Sequence, residues 1–177
     1  MANEKLTIQT ITVSHIRVPL PRPAAVSTFK IPAVDTCAVT LRTREGLSGV
    51  GWCAAFGAEK CRALMAMVRD LFGTLINKDA NDTEGNWAAM RQAASFVGRD
   101  GISAMAIAAL DTASWDIKAK ALGIPVYELA GGPTRERQRV YWSHCGSSRM
   151  GNAELIGVPP LNKWSDVTAL GKEVVER

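Results

Sequence analysis

At 177 residues, 47% of them hydrophobic and 21% charged, the chain has room for one domain with a sizeable core and part of a second, and the composition excludes disorder. The formal net charge of +4 is spread along the sequence without a basic cluster, so nothing marks a nucleic-acid partner. No run reaches transmembrane length, the first ten residues lack an apolar signal core, and Cys37, Cys53, Cys61 and Cys145 lack Cys-x-x-Cys spacing. The expectation is a cytoplasmic protein with reduced thiols, no membrane partner and no metal site.

Residues 6–20, rich in Thr, Ile and Val, read as a first strand. A phase slip near Ser14 suggests a bulge. Pro19, Pro21 and Pro23 are expected to stop the strand, and residues 22–33, which have no period, to form a mobile loop. Residues 35–43 alternate as a second strand, turn at Arg44-Glu45-Gly46, and return as a third over 47–53. Gly46, Gly49 and Gly51 invite a nucleotide-binding reading, which fails because they follow a hairpin and open no helix. Twist, or close approach by another element, explains such glycines better.

Residues 58–77 carry a helical stripe of Leu64, Met67, Val68, Leu71, Phe72 and Leu75, with Glu59, Lys60, Arg69 and Asp70 facing water. Asn81 or Asp82 can cap a second helix whose buried face is Trp87, Met90, Ala94 and Val97, ending at Gly98. A third helix opens at Gly101. Its apolar stripe is Ile102, Met105, Ala106, Ala109, Leu110, Ala113, Ile117 and Ala121, flat with alanine, and Asp116 stands four residues before Lys120. Gly123 is placed for a left-handed cap and Pro125 blocks continuation. A short turn over 126–130 leads into Gly131-Gly132-Pro133. Three strands followed by three helices make an α+β arrangement.

The order of residues from 106 to 132, alanine-rich with Asp111, Ala113, Asp116, Ala119-Lys120, Pro125-Val126, Leu129 and Gly131, resembles the mandelate racemase and muconate-lactonizing enzyme family of the enolase superfamily. Ser114 and Ala130 depart mildly from its pattern, and Gly51-Trp52-Cys53 stands where a Gly-Glu ending is common. The resemblance implies an enolase-like N-terminal capping domain, a three-stranded antiparallel sheet and a helical bundle, over residues 1–133. Residues 134–177 would hold only the first strand (140–143), a loop (151–162) and the first helix (164–175) of a (β/α)₈ barrel.

Family enzymes abstract a proton next to a carboxylate while Mg²⁺ stabilises the enediolate. The bases and metal ligands lie on later strands, so no catalytic residue and no tight Mg²⁺ site is expected in this chain. The resemblance makes it a lid over a small-molecule carboxylate or sugar acid, formed by residues 22–33 and 54–58. Phe29, Lys30, Trp52 and Phe56, with His144 at the end of the first barrel strand, are the substrate-binding candidates. The run Tyr141-Trp142-Ser143-His144-Cys145-Gly146 looks most like the acid-sugar dehydratases; a racemase or cycloisomerase is the alternative. A homo-oligomer is expected, since an incomplete barrel leaves strand edges and apolar surface uncovered. A non-catalytic α+β binding module and one half of a split enzyme remain readings from other classes.

Overall fold

The computed structural model describes residues 5–25, 30–55, 57–140, 149, 153–154 and 157–176. They divide into two compact units, Met1–Arg17 with Asp35–Thr134, and Val18–Val34 with Arg135–Arg177. Three strands form one sheet in the order β1-β2-β3: β1 (Ile8–Ala25), β2 (Lys30–Thr43) and β3 (Ser48–Ala55). β2 and β3 pair antiparallel, with Cys37 opposite Cys53, Ala38 opposite Trp52 and Thr40 opposite Val50. The helices α1 (Ala58–Phe72), α2 (Thr83–Ala93), α3 (Ile102–Leu122) and α4 (Val126–Leu129) follow. In the second unit, α5 (Trp164–Glu176) stands where the amphipathic pattern placed a helix. No helix among the described residues is long and apolar enough to cross a membrane.

Two sequence expectations fail together. β1 does not stop at its prolines but runs to Ala25, and β2 begins at Lys30 rather than Asp35. The period-free stretch 22–33 is therefore strand at both ends, and only 26–29 lie outside the described residues. The prolines are tolerated because β1 is an edge strand. Spaced by two, Pro19, Pro21 and Pro23 all leave their missing N–H on the same side of the strand, where an edge has no partner to lose. The phase slip also falls earlier than Ser14. Leu6 and Ile8 are buried, whereas beyond Gln9 and Thr10 the inward row is Ile11, Val13 and His15.

α1 is shorter than its apolar stripe. It ends at Phe72, and residues 73–77 continue as tight turns in which Gly73, Thr74 and Leu75 each donate to the carbonyl three residues back. Leu75 stays fully buried in that turn, so the stripe measured burial rather than helix length. Asp82, one of the two proposed caps, accepts the Gly85 N–H at 3.0 Å. Met90 and Ala94 are buried as expected, but α2 stops at Ala93, and Trp87 and Val97 lie exposed.

α3 packs chiefly on β3 and α1, and Ala106, Ala109, Leu110, Ala113 and Ile117 form its buried face. The glycines of β3 allow this approach. A Cβ at Gly49 would lie 2.0 Å from the Ala113 carbonyl oxygen, and one at Gly51 1.9 Å from that of Ala109. Close approach by a helix is therefore what those glycines serve. Gly123 closes α3 in the left-handed conformation at φ 68°, as its position predicted. Val140, expected to open a strand, has irregular backbone and an exposed side chain; residues 141–143 lie outside the described residues.

Candidate functional site

Two hollows flank β3, both within the first unit. The first, about 600 Å³, lies beside the outer edge of the strand and is lined by Val50, Trp52, Thr112, Trp115, Asp116, Val126 and Ala130. Its floor follows from ladder parity. Thr43 N–H donates to Leu47 O at 2.9 Å, which makes 43 and 47 a hydrogen-bonded pair. By alternation Ser48 and Val50 turn their N–H and C=O groups away from β2. α3 receives them. Val50 N–H donates to Asp116 Oδ2 at 2.8 Å, and Lys120 Nζ donates both to Ser48 O at 3.0 Å and to Asp116 Oδ2 at 2.7 Å. The Asp-Lys pair thus occupies the edge of β3 as a partner strand would, instead of serving only as an intrahelical pair.

The second hollow, about 430 Å³, sits where β3 gives way to α1 and is lined by Ala54, Ala55, Lys60, Leu64, Gly101, Ile102 and Met105. Sequence reasoning missed it. Ile102 and Met105 belong to the stripe read as buried, yet each is 39% exposed because it faces this space, and Lys60, read as facing bulk water, stands at its rim. The signal was available: two large side chains in the first turn after a glycine start, ahead of the alanine-rich part of the stripe.

Of the nominated residues, Trp52 lines the first hollow and is 63% exposed. It stands on β3, within the strand read from the sequence; β3 extends to Ala55 and α1 starts at Ala58. Of the expected lid segment 54–58, Ala54 and Ala55 belong to β3 and Ala58 to α1. Lys30 is the first residue of β2, exposed, and belongs to the second unit. Phe29, Phe56 and His144 lie outside the described residues.

Ionisable groups in the first unit give little reactive chemistry. Cys37, Cys53 and Cys61 are buried free thiols. Burial pushes all three up, Cys53 to about 12, so they stay protonated and unreactive at neutral pH. Burial also raises the Asp111 carboxyl above its ordinary value, and the nearby Glu84 adds to the shift. Among the described residues no three His, Cys, Asp or Glu side chains converge as a metal site. A hard cation needs several oxygen ligands, so the donor set described here does not fit Mg²⁺.

Residues 8–131 match the family model described as mandelate racemase / muconate lactonizing enzyme, N-terminal domain. A D-galactonate dehydratase of Variovorax paradoxus is 43% identical over 101 residues, which are 57% of this chain and 26% of the relative. The L-talarate/galactarate dehydratase of Salmonella typhimurium, solved with Mg and L-lyxarohydroxamate, superposes with a TM-score of 0.69 at 27% identity, covering 76% of this chain and 36% of that one. The L-talarate dehydratase of Polaromonas, solved with Mg and L-glucarate, gives a TM-score of 0.74 at 23% identity, covering 98% of this chain and 44% of that one, a likeness of fold. This chain thus spans about a quarter of the curated relative's length and less than half of either solved chain.

Proposed function

We propose that this chain, which belongs to the mandelate racemase / muconate lactonizing enzyme family through its N-terminal domain, supplies the substrate-capping part of a sugar-acid dehydratase. The observation that carries the reading is the 43% identity to a D-galactonate dehydratase across 101 residues. Mg²⁺, which accompanies the solved dehydratases, would supply electrostatic stabilisation of charge developing next to a carboxylate. Among the described residues no donor set fits that ion. A cap excludes water from the reacting centre and grips the end of the substrate remote from the chemistry.

In this reading residues 1–133 form the capping domain and 134–177 the start of a barrel. Lys30 offers a cation to a carboxylate or hydroxyl, and Trp52, Phe29 and Phe56 offer closure. The family resemblance assigns His144 to the mouth.

The test joins this chain to the remainder of the D-galactonate dehydratase barrel and measures Mg²⁺-dependent dehydration across a panel of sugar acids. Lys30→Ala and Trp52→Ala are expected to raise KM by about tenfold, the loss of one charged or aromatic contact of roughly 1.4 kcal/mol. Unchanged KM and kcat in both variants would remove the substrate-facing assignment. The chain alone is expected to leave the α-proton of every sugar acid unexchanged in deuterated buffer.

A further inference from the structure

From Ile16 onward β1 does not turn its apolar row inward. Ile16, Val18 and Leu20 repeat at two-residue steps, and hydrophobicity alone would bury that row. Instead Ile16 is 48% exposed and Val18 52% exposed, with Leu20 half-buried, while Ile11, Val13 and His15 hold the inward positions. Val13 packs on the core. His15 Nε2–H donates to Asp35 Oδ1 at 2.6 Å, and Arg17 Nη1 donates to the two Asp35 oxygens at 3.1 and 3.4 Å. The Asp35 side chain is only 2% exposed, and it lies on the row of β2 that buries Cys37, Val39 and Leu41.

A buried carboxylate is tolerated only with partners that return what water gave it. A slip of β1 by one residue would exchange His15 and Arg17 for Ile16 beside Asp35, leaving the charge buried and alone. We infer that Asp35, held by His15 and Arg17, is a register lock: it keeps β1 one residue away from the pairing that Ile16, Val18 and Leu20 favour, and so keeps Ile16 on the outer face of the sheet. Strand pairing is otherwise weakly specified here, because β1 is an edge strand and its earlier apolar positions, Leu6 and Ile8, already lie in the other phase. The lock goes beyond the capping role and does not depend on it.

The test places a thiol at the outward position with Ile16→Cys in the full chain and follows its alkylation by peptide mass spectrometry, which separates it from the buried Cys37, Cys53 and Cys61 and from Cys145. Asp35→Leu removes the charge and favours the slip. The rate at position 16 is expected to fall by about tenfold or more, as for a thiol moving from surface to core. Simple destabilisation would do the opposite and raise that rate, so the sign separates a register role from a merely stabilising one. Asp35→Asn keeps an acceptor and should leave the rate near that of the parent. If Asp35→Leu fails to fold, Arg17→Gln, a change at a half-exposed side chain, carries the test with a smaller slowing in the same direction. Alkylation at position 16 that is unchanged or faster in the folded Asp35→Leu variant, or in Arg17→Gln when that variant must stand in, overturns the lock.

Discussion

Replacing Asp116 by alanine tests whether the helix guards the edge of β3. The substitution removes a charge-assisted hydrogen bond to Val50 N–H and frees Lys120 from one of its two acceptors. A hydrogen bond to a charged group contributes about 1.5–3 kcal/mol, with the lower end appropriate here because both partners touch water. The Asp116–Lys120 pair, with side chains 28% and 47% exposed, adds no more than about 0.5 kcal/mol. Alanine returns about 0.5 kcal/mol through better helix propensity. The net loss is about 1.5 kcal/mol, a fall in Tm of about 5 °C for a chain of this size. Thermal unfolding followed by far-UV circular dichroism reads it directly. Asp116→Asn retains an acceptor and should lose roughly half as much. A Tm for Asp116→Ala at or above the parent's would mean that propensity outweighs the edge contact, and would refute the reasoning.

Gly51→Ala forces a methyl to within 1.9 Å of a backbone oxygen in α3, so the helix must move. The expected cost is about 3 kcal/mol or more, read as loss of the cooperative transition or a fall in denaturation midpoint. Because its shift is upward, the Asp111 carboxyl stabilises the fold while protonated, below its ordinary value of 3.8, and that contribution is lost as pH rises through the elevated folded value. Asp111→Asn should therefore match the parent in acid and exceed its Tm at neutral pH; a difference independent of pH would contradict the shift. The chain is also expected to self-associate through its second unit, where Val140, Trp164 and Val175 stand almost fully exposed. Light scattering that finds only a 19.0 kDa monomer at micromolar concentration would count against this.

What the sequence made legible was set by period and by turn chemistry. The β2–β3 hairpin, the Asp82 cap, the Gly123 terminus and the alanine face of α3 each rest on a local rule, and each stands where that rule put it. The errors arose where a non-local partner outweighed a local preference. Three prolines are strand-breakers until the strand lies at an edge, and no stretch of sequence announces that it will. His15 is an unremarkable polar residue until a buried carboxylate from the next strand claims it. Asp116 and Lys120 satisfied the four-residue helix rule, and that sufficiency concealed their work on Ser48 and Val50. Of the nominated site, Trp52 could be named as an exposed aromatic, but its hollow depends on α3 and α4 arriving beside β3.

The contact between the glycines of β3 and the backbone of α3 also decides what light can report. With helix and strand nearly touching, this interface has no room for an aromatic ring, and the buried core among the described residues is Leu, Ile, Val, Ala, Met and Cys. Among the described residues the indole rings lie outward instead: Trp52, Trp87 and Trp164 are exposed, and Trp115 is partly so. Emission from these four rings is therefore expected to be red-shifted even in the folded chain, and loosening of the alanine core beneath α3 should change it little while the hollow between Trp52 and Trp115 persists. An occupant of the hollow beside β3 would instead rest on Trp52 and Trp115, so the same emission that is blind to the core becomes a direct optical readout of binding.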